Sequence, residues 1–209
     1  MTRNPPPIPA LERSTYRTLL GEHAWQNLHP DIRERFMEKN VHRDVTYRGV
    51  MQEVRASFLG KILANCFRLI GSPLALHDGE NIPITVRVYR DEILDGMTWD
   101  RFYFFPNGSV DRVRSTKCIR QESGLIEVVG FGFGMYLKLS EENSALFFES
   151  KGFFWTLGRF KIPIPDLLTP GKTIVSQSAE RNQQFKFTLE VQHRYLGKLF
   201  HQVGYFSAQ

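Results

Sequence analysis

From about Asn81 to the C-terminus, apolar and polar residues alternate with period two, and turn residues divide the alternating segments. Alternation sends successive side chains to opposite faces of a strand, so most of the chain reads as an antiparallel meander. The pattern predicts strands near 84–90, 98–105, 110–120, 125–131, 133–140, 145–154, 173–179, 184–193 and 199–206, with an earlier one over Val45–Ala56. A flat sheet of about ten strands is uncommon, so a barrel, a half-barrel or two packed layers is expected. Gly130, Gly132 and Gly134 fit such curvature, because they strip the side chains from one face and permit a sharp bend or the close approach of another element.

The first third has helical spacing instead. Segments 11–20 and 30–38 flank Trp25, with Pro30 and Asp31 suited to a helix start. Segment 58–70 is the strongest helix, with Ser57 as N-cap, Gly71 and Pro73 as terminator, and an apolar face of Leu59, Ile62, Leu63, Phe67 and Ile70 expected to lie on the sheet. The proline-rich 158–171 is the one long irregular stretch, placed to cover a cavity mouth. These features predict one α+β domain over 11–209: a strongly curved antiparallel sheet of about 8–10 strands, with N-terminal helices on one face or opening. Residues 1–10, with four prolines and little apolar bulk, read as a flexible lead-in rather than a signal peptide.

Two registers follow from turn residues. With Glu142 and Asn143 as a turn, Leu139 faces Leu146, Leu137 faces Phe148, Met135 faces Ser150 and Phe133 faces Gly152, which makes one face apolar. With Asn107-Gly108 as a two-residue turn, Asp100 faces Ser115, Thr98 faces Lys117 and Phe102 faces Val113. Asp100, Ser115 and Lys117 then share one face, and Trp99, Arg101, Tyr103, Arg112 and Arg114 the other. Inside a barrel, the first set would suit acid-base or imine chemistry; on a solvated face it would be an ordinary set of ion pairs. His193 continues the stripe Phe185, Phe187, Leu189, Val191. A turn at Leu196-Gly197 brings Phe200 and Gln202 to its face, giving either a polar pair at a pocket rim or a satisfied structural histidine. The ligand-binding candidates are thus Trp99, Asp100, Arg101, Ser115, Lys117, Met135, Ser150, His193 and Gln202, with no catalytic residue assigned.

Composition narrows the function classes. With 42% hydrophobic and 23% charged residues, a substantial core is expected, and 17 phenylalanines, seven tyrosines and three tryptophans suffice for an apolar pocket or for a dry interior. The net charge of +5 is dispersed, apart from Arg112, Arg114, Lys117 and Arg120, and no nucleic-acid motif accompanies it. No segment reaches the roughly 18 apolar residues of a membrane span, so no stable membrane insertion is expected. Cys66 and Cys118 lack metal-ligand spacing and read as free thiols in a cytoplasmic protein. The six histidines form no metal-binding pattern, and phosphate-loop, nucleophile-elbow and paired-cysteine motifs are missing, so neither metal nor cofactor is expected.

Several segments together carry a family resemblance: Leu28-His29-Pro30 with Arg33 and Phe36, Tyr47 to Met51, Arg68 to Leu74, Trp99-Asp100-Arg101, Ser115-Thr116-Lys117, Gly130 to Met135, and His193 to Phe206. The chain resembles a bacterial family of unknown function whose members are often appended to short-chain dehydrogenase or epimerase-like modules. Arg194 stands where the resemblance leads one to expect proline. The family carries no established activity and so transfers no catalytic residue. The resemblance implies a module working with a separate oxidoreductase, since no dinucleotide-binding unit occurs in this chain. Three functions stay open: a binding module for a small, largely apolar ligand, a small-molecule enzyme using acid-base or imine chemistry, and a purely structural partner of a dehydrogenase.

Overall fold

The computed structural model describes residues 14–38, 43–68, 74–158 and 160–208; the lead-in expected over 1–10 and the helix terminator at Gly71 and Pro73 lie outside them. Three short helices come first, α1 (Tyr16–Leu20), α2 (Glu22–Asn27) and α3 (Pro30–Arg35), and α4 (Phe58–Arg68) follows the first strand. The strands are β1 (Val45–Ala56), β2 (Gly79–Asp91), β3 (Gly96–Phe104), β4 (Val110–Arg120), β5 (Gly124–Gly130) and β6 (Phe133–Glu142). They continue with β7 (Ala145–Leu157), β8 (Phe160–Ile164), β9 (Lys172–Ala179), β10 (Phe185–His193) and β11 (Gly197–Ala208).

All pairings among the described residues are antiparallel, in the order β6-β5-β4-β3-β2-β1-β11-β10-β9-β7-β8. A further β6–β7 pairing closes β1–β7 and β9–β11 into a ring, and β8 lies outside it on β7. Closure satisfies the backbone groups that an open edge would leave unpaired, which explains how so many strands form one sheet. Alternate residues fill the inside: Met51, Val54, Ile82 and Phe148 are almost wholly removed from solvent.

Helices this short are unstable alone, so burial must hold them. Thr15 and Thr18 cap α1 reciprocally, each side-chain oxygen accepting the other's backbone N–H. Tyr16 then enters the core, its ring 5.2 Å from Phe36 and 6.4 Å from Phe148. Together with Trp25, Leu28 and Ile32, this makes α1–α3 an aromatic plug against β6 and β9. On α4, Ser57 Oγ accepts the Gly60 N–H at 3.1 Å, as expected of an N-cap. The helix meets the barrel through Gly60, where a Cβ would lie 2.0 Å from the Leu199 carbonyl oxygen, and through buried Ala64. Its apolar face is not covered throughout: Leu63 packs on the core, while Phe58, Leu59 and Ile62 are exposed. The contact made by the small residues turns that stripe partly away from the sheet.

The structure corrects three registers. In the β3–β4 hairpin a five-residue loop over 105–109 replaces the two-residue turn, with the Phe105 N–H donating to Ser109 and the Gly108 N–H to Phe105. Trp99 therefore faces Ser115, and Asp100 faces Arg114. In the β6–β7 hairpin the turn is Asn143-Ser144, both with positive φ, so Leu139 faces Phe148 and Leu137 faces Ser150. That two-step slip preserves parity, and Leu137, Leu139, Leu146 and Phe148 share the core face as expected. In the β10–β11 hairpin, a bulge puts Gln202 opposite Leu189 and His193 opposite Gly197.

Candidate functional site

A cavity of about 440 Å³ opens between the barrel wall and the segment 162–170. Its position follows from a kink in β7. At Gly152 φ is +151°, and the β6 register shifts between Tyr136 and Leu137. Before the kink Leu146, Phe148 and Ser150 point inward; after it Phe153 and Trp155 line the cavity, while Phe154 turns to a small outer cluster with Cys118 and Ile126. β8 pairs with this second half of β7, setting Ile164 opposite Phe153 and Ile162 opposite Trp155, so both isoleucines reach the cavity. Pro163 is tolerated because β8 is an edge strand. The stretch read as irregular over 158–171 thus contains a strand, and it lines the cavity mouth. Trp155 is fixed by its Nε1–H bond to the Phe131 carbonyl at 3.0 Å and by stacking on Phe133.

The cavity has a charged floor. Arg101 from β3, Ser115 and Lys117 from β4, and Glu127 from β5 all line it. Arg101 Nη1 donates to Ser115 Oγ at 3.3 Å, and Lys117 Nζ donates to Glu127 Oε1 at 2.9 Å. Lys117 also lies over the Trp99 ring, 4.6 Å from its centroid, and 5.4 Å from that of Phe148. Burial pushes the Lys117 ammonium below its ordinary pKa, opposed by Glu127 and reinforced by Arg101. Burial alone would raise the Glu127 carboxyl, but the charges of Lys117 and Arg101, with the hydrogen bond from Lys117 and the nearby Ser115 hydroxyl, hold it below the usual range. The floor therefore presents a carboxylate, an ammonium compressed by burial, and a guanidinium beneath apolar walls.

Of the nine candidates, Arg101, Ser115, Lys117 and Met135 line this cavity. Trp99 borders it indirectly, beneath Lys117. Asp100 does not join the cluster: on the outer face, Arg112 Nε and Nη2 each donate to its carboxylate at 2.8 Å. Lys117 is thus paired, but with Glu127 rather than Asp100. Ser150 Oγ accepts the Thr173 N–H at 2.9 Å, tying β9 to β7. His193 Nδ1 accepts the Tyr195 and Leu196 N–H groups at 3.3 Å, capping the β10–β11 turn. Gln202 accepts from the Tyr103 hydroxyl at 3.1 Å deep in the barrel, where burial raises the phenol pKa. Glu127, Phe153 and Trp155 were not singled out by sequence reasoning; a Lys117–Glu127 rung could have been found from a three-residue turn over 121–123. Among the described residues no group of three potential ligands could hold a metal ion, and no helix is long and apolar enough to cross a membrane.

A closed antiparallel barrel with an apolar cavity over a charged floor defines the architectural class. The chain belongs to the family described as Domain of unknown function (DUF4166), matched over residues 28–206. No curated protein and no solved structure matches it.

Proposed function

We propose that this barrel is a binding module for a small, largely apolar molecule held beneath β8. The observation that carries the reading is the cavity of about 440 Å³, walled by Val129, Phe133, Met135, Phe153, Val175 and Leu189 and left unfilled by side chains. Its size and its few convergent polar groups are those of small-molecule sites. Delivery to or from a separate oxidoreductase is the second half of the reading, supported by the resemblance to domains appended to dehydrogenase-like modules. Native mass spectrometry of the purified chain, followed by organic extraction, tests the first half. A co-purifying apolar compound, lost on filling the cavity with Leu189→Trp, supports it. Failure of every apolar probe to bind the folded wild-type chain overturns it.

A second reading, an imine-forming enzyme, draws on the depressed Lys117 pKa at the cavity floor. The Glu127 carboxylate 2.9 Å away favours the charged ammonium and weighs against it.

A further inference from the structure

Resting on the reading that the cavity holds a small apolar molecule, we infer that this molecule carries one carboxylate, seated against Arg101 and Ser115. The argument starts from charge. The titratable groups lining the cavity are two cations, Arg101 and Lys117, and one carboxylate, Glu127. Lys117 and Glu127 neutralise each other at 2.9 Å. Arg101 has no carboxylate within ion-pair distance among the described residues, and of its five N–H donors one reaches Ser115. The floor therefore holds one surplus positive charge.

Arg101 lowers the pKa of Lys117 and of Glu127 alike, as a cation close to both does. Arg101 is only partly buried, so its guanidinium is open to solvent while the cavity holds no ligand. An apolar molecule that displaces this solvent leaves a desolvated charge if its own end is neutral, and adds repulsion if that end is cationic. A carboxylate removes the penalty, because a guanidinium offers it paired donors in the matching plane. Ser115, whose oxygen accepts from Arg101, can turn its hydroxyl proton toward the new acceptor. The walls accept an apolar body, and the floor selects its head.

The test compares three probes that share a chain and differ in head: dodecanoate, dodecanol and dodecylammonium. Each is titrated into the full chain below its aggregation concentration and followed by calorimetry and by tryptophan fluorescence, since Trp155 lines the cavity. Dodecanoate should bind at least about tenfold more tightly than dodecanol, and dodecylammonium most weakly. Arg101→Gln should weaken dodecanoate binding far more than dodecanol binding and so abolish the carboxylate's advantage, and Arg101→Lys should restore part of it. Ser115→Ala should reduce the advantage severalfold, which keeps the test decisive should Arg101→Gln fail to fold. Equal binding of dodecanoate and dodecanol, or a preference that survives Arg101→Gln, overturns the carboxylate and leaves the apolar site standing. Binding of none of the three overturns both.

Discussion

Lys117 and Glu127 face each other on one rung of β4 and β5, with Nζ 2.9 Å from Oε1 and both side chains more than nine-tenths buried. Taking two charges out of water costs several kcal/mol per ion, and their attraction repays it only while both are present. Glu127→Gln should therefore destabilise the barrel by about 3–5 kcal/mol, because it leaves Lys117 buried beside Arg101 without a counter-charge. Lys117→Met together with Glu127→Leu should cost far less than that single change. Urea unfolding of the variants measures both, and a double variant as unstable as Glu127→Gln would contradict the account.

The pair also sets an acid limit. The folded-state pKa of Glu127 is depressed, so its contribution is fully present above the unfolded carboxyl value near pH ~4.3 and is lost as pH falls through the folded value. In this window the unfolded chain binds more protons than the folded one, and stability falls with acidification. Glu127→Gln should flatten that part of the stability curve, relative to wild type, below about pH 4.3. Thermal unfolding across this range gives the slopes; parallel slopes would exclude Glu127 as a source.

Much of the barrel was legible because β-strand parity is a robust signal. The slip at Asn143-Ser144 moved the β6–β7 register by two, and the dry face survived. The β3–β4 loop moved its register by one, and the polar cluster came apart, with Asp100 sent outside and Ser115 and Lys117 kept within. Loop length there hangs on the Phe105 and Gly108 backbone bonds, which an Asn-Gly pair does not specify. β8 was hidden by Pro163, which an edge strand accepts. Glu127 was hidden because both faces of β5 are apolar: Leu125 and Val129 share its side, Ile126 and Val128 the other. A carboxylate in such a run is recognised only through Lys117 opposite.

Phe148 binds the two halves of the fold, since it lies 5.7 Å from Phe36 of the helical plug and under the Lys117 ammonium. Phe148→Ala should cost about 3–5 kcal/mol, whereas Lys138→Ala, on the outer face, should change stability by less than about 0.5 kcal/mol. Denaturant midpoints of the two variants check the pair, and similar losses would contradict the inward assignment.

His193 should act on stability and not on binding. Its ring accepts two turn N–H groups and does not line the cavity. His193→Ala should lower stability by about 1–3 kcal/mol and leave dodecanol affinity within about twofold of wild type. A large affinity loss in the folded variant, measured by the same titration, would return His193 to the site.

The sharpest test of enzymatic chemistry lies at Lys117. An imine forms when a neutral amine attacks a carbonyl and water leaves, so it needs an unprotonated Nζ with room to react. Burial favours that neutral form, and the cavity supplies the room. Glu127 opposes it, since deprotonating Lys117 would strand a buried carboxylate and break a 2.9 Å charge-assisted bond. The Trp99 and Phe148 rings add to the cost, because their faces attract the cation and not the neutral amine. Incubation with medium-chain aldehydes and 2-keto acids, followed by borohydride, should therefore leave Lys117 unmodified in intact-mass and peptide-mass measurements at pH 7. Glu127→Gln supplies the contrast: with the counter-charge gone, a larger fraction of Nζ is neutral, and trapping should rise if the variant keeps its fold. Stoichiometric labelling of the wild-type chain at Lys117, abolished by Lys117→Arg, would reverse the order of the two readings and make the cavity a site of covalent catalysis.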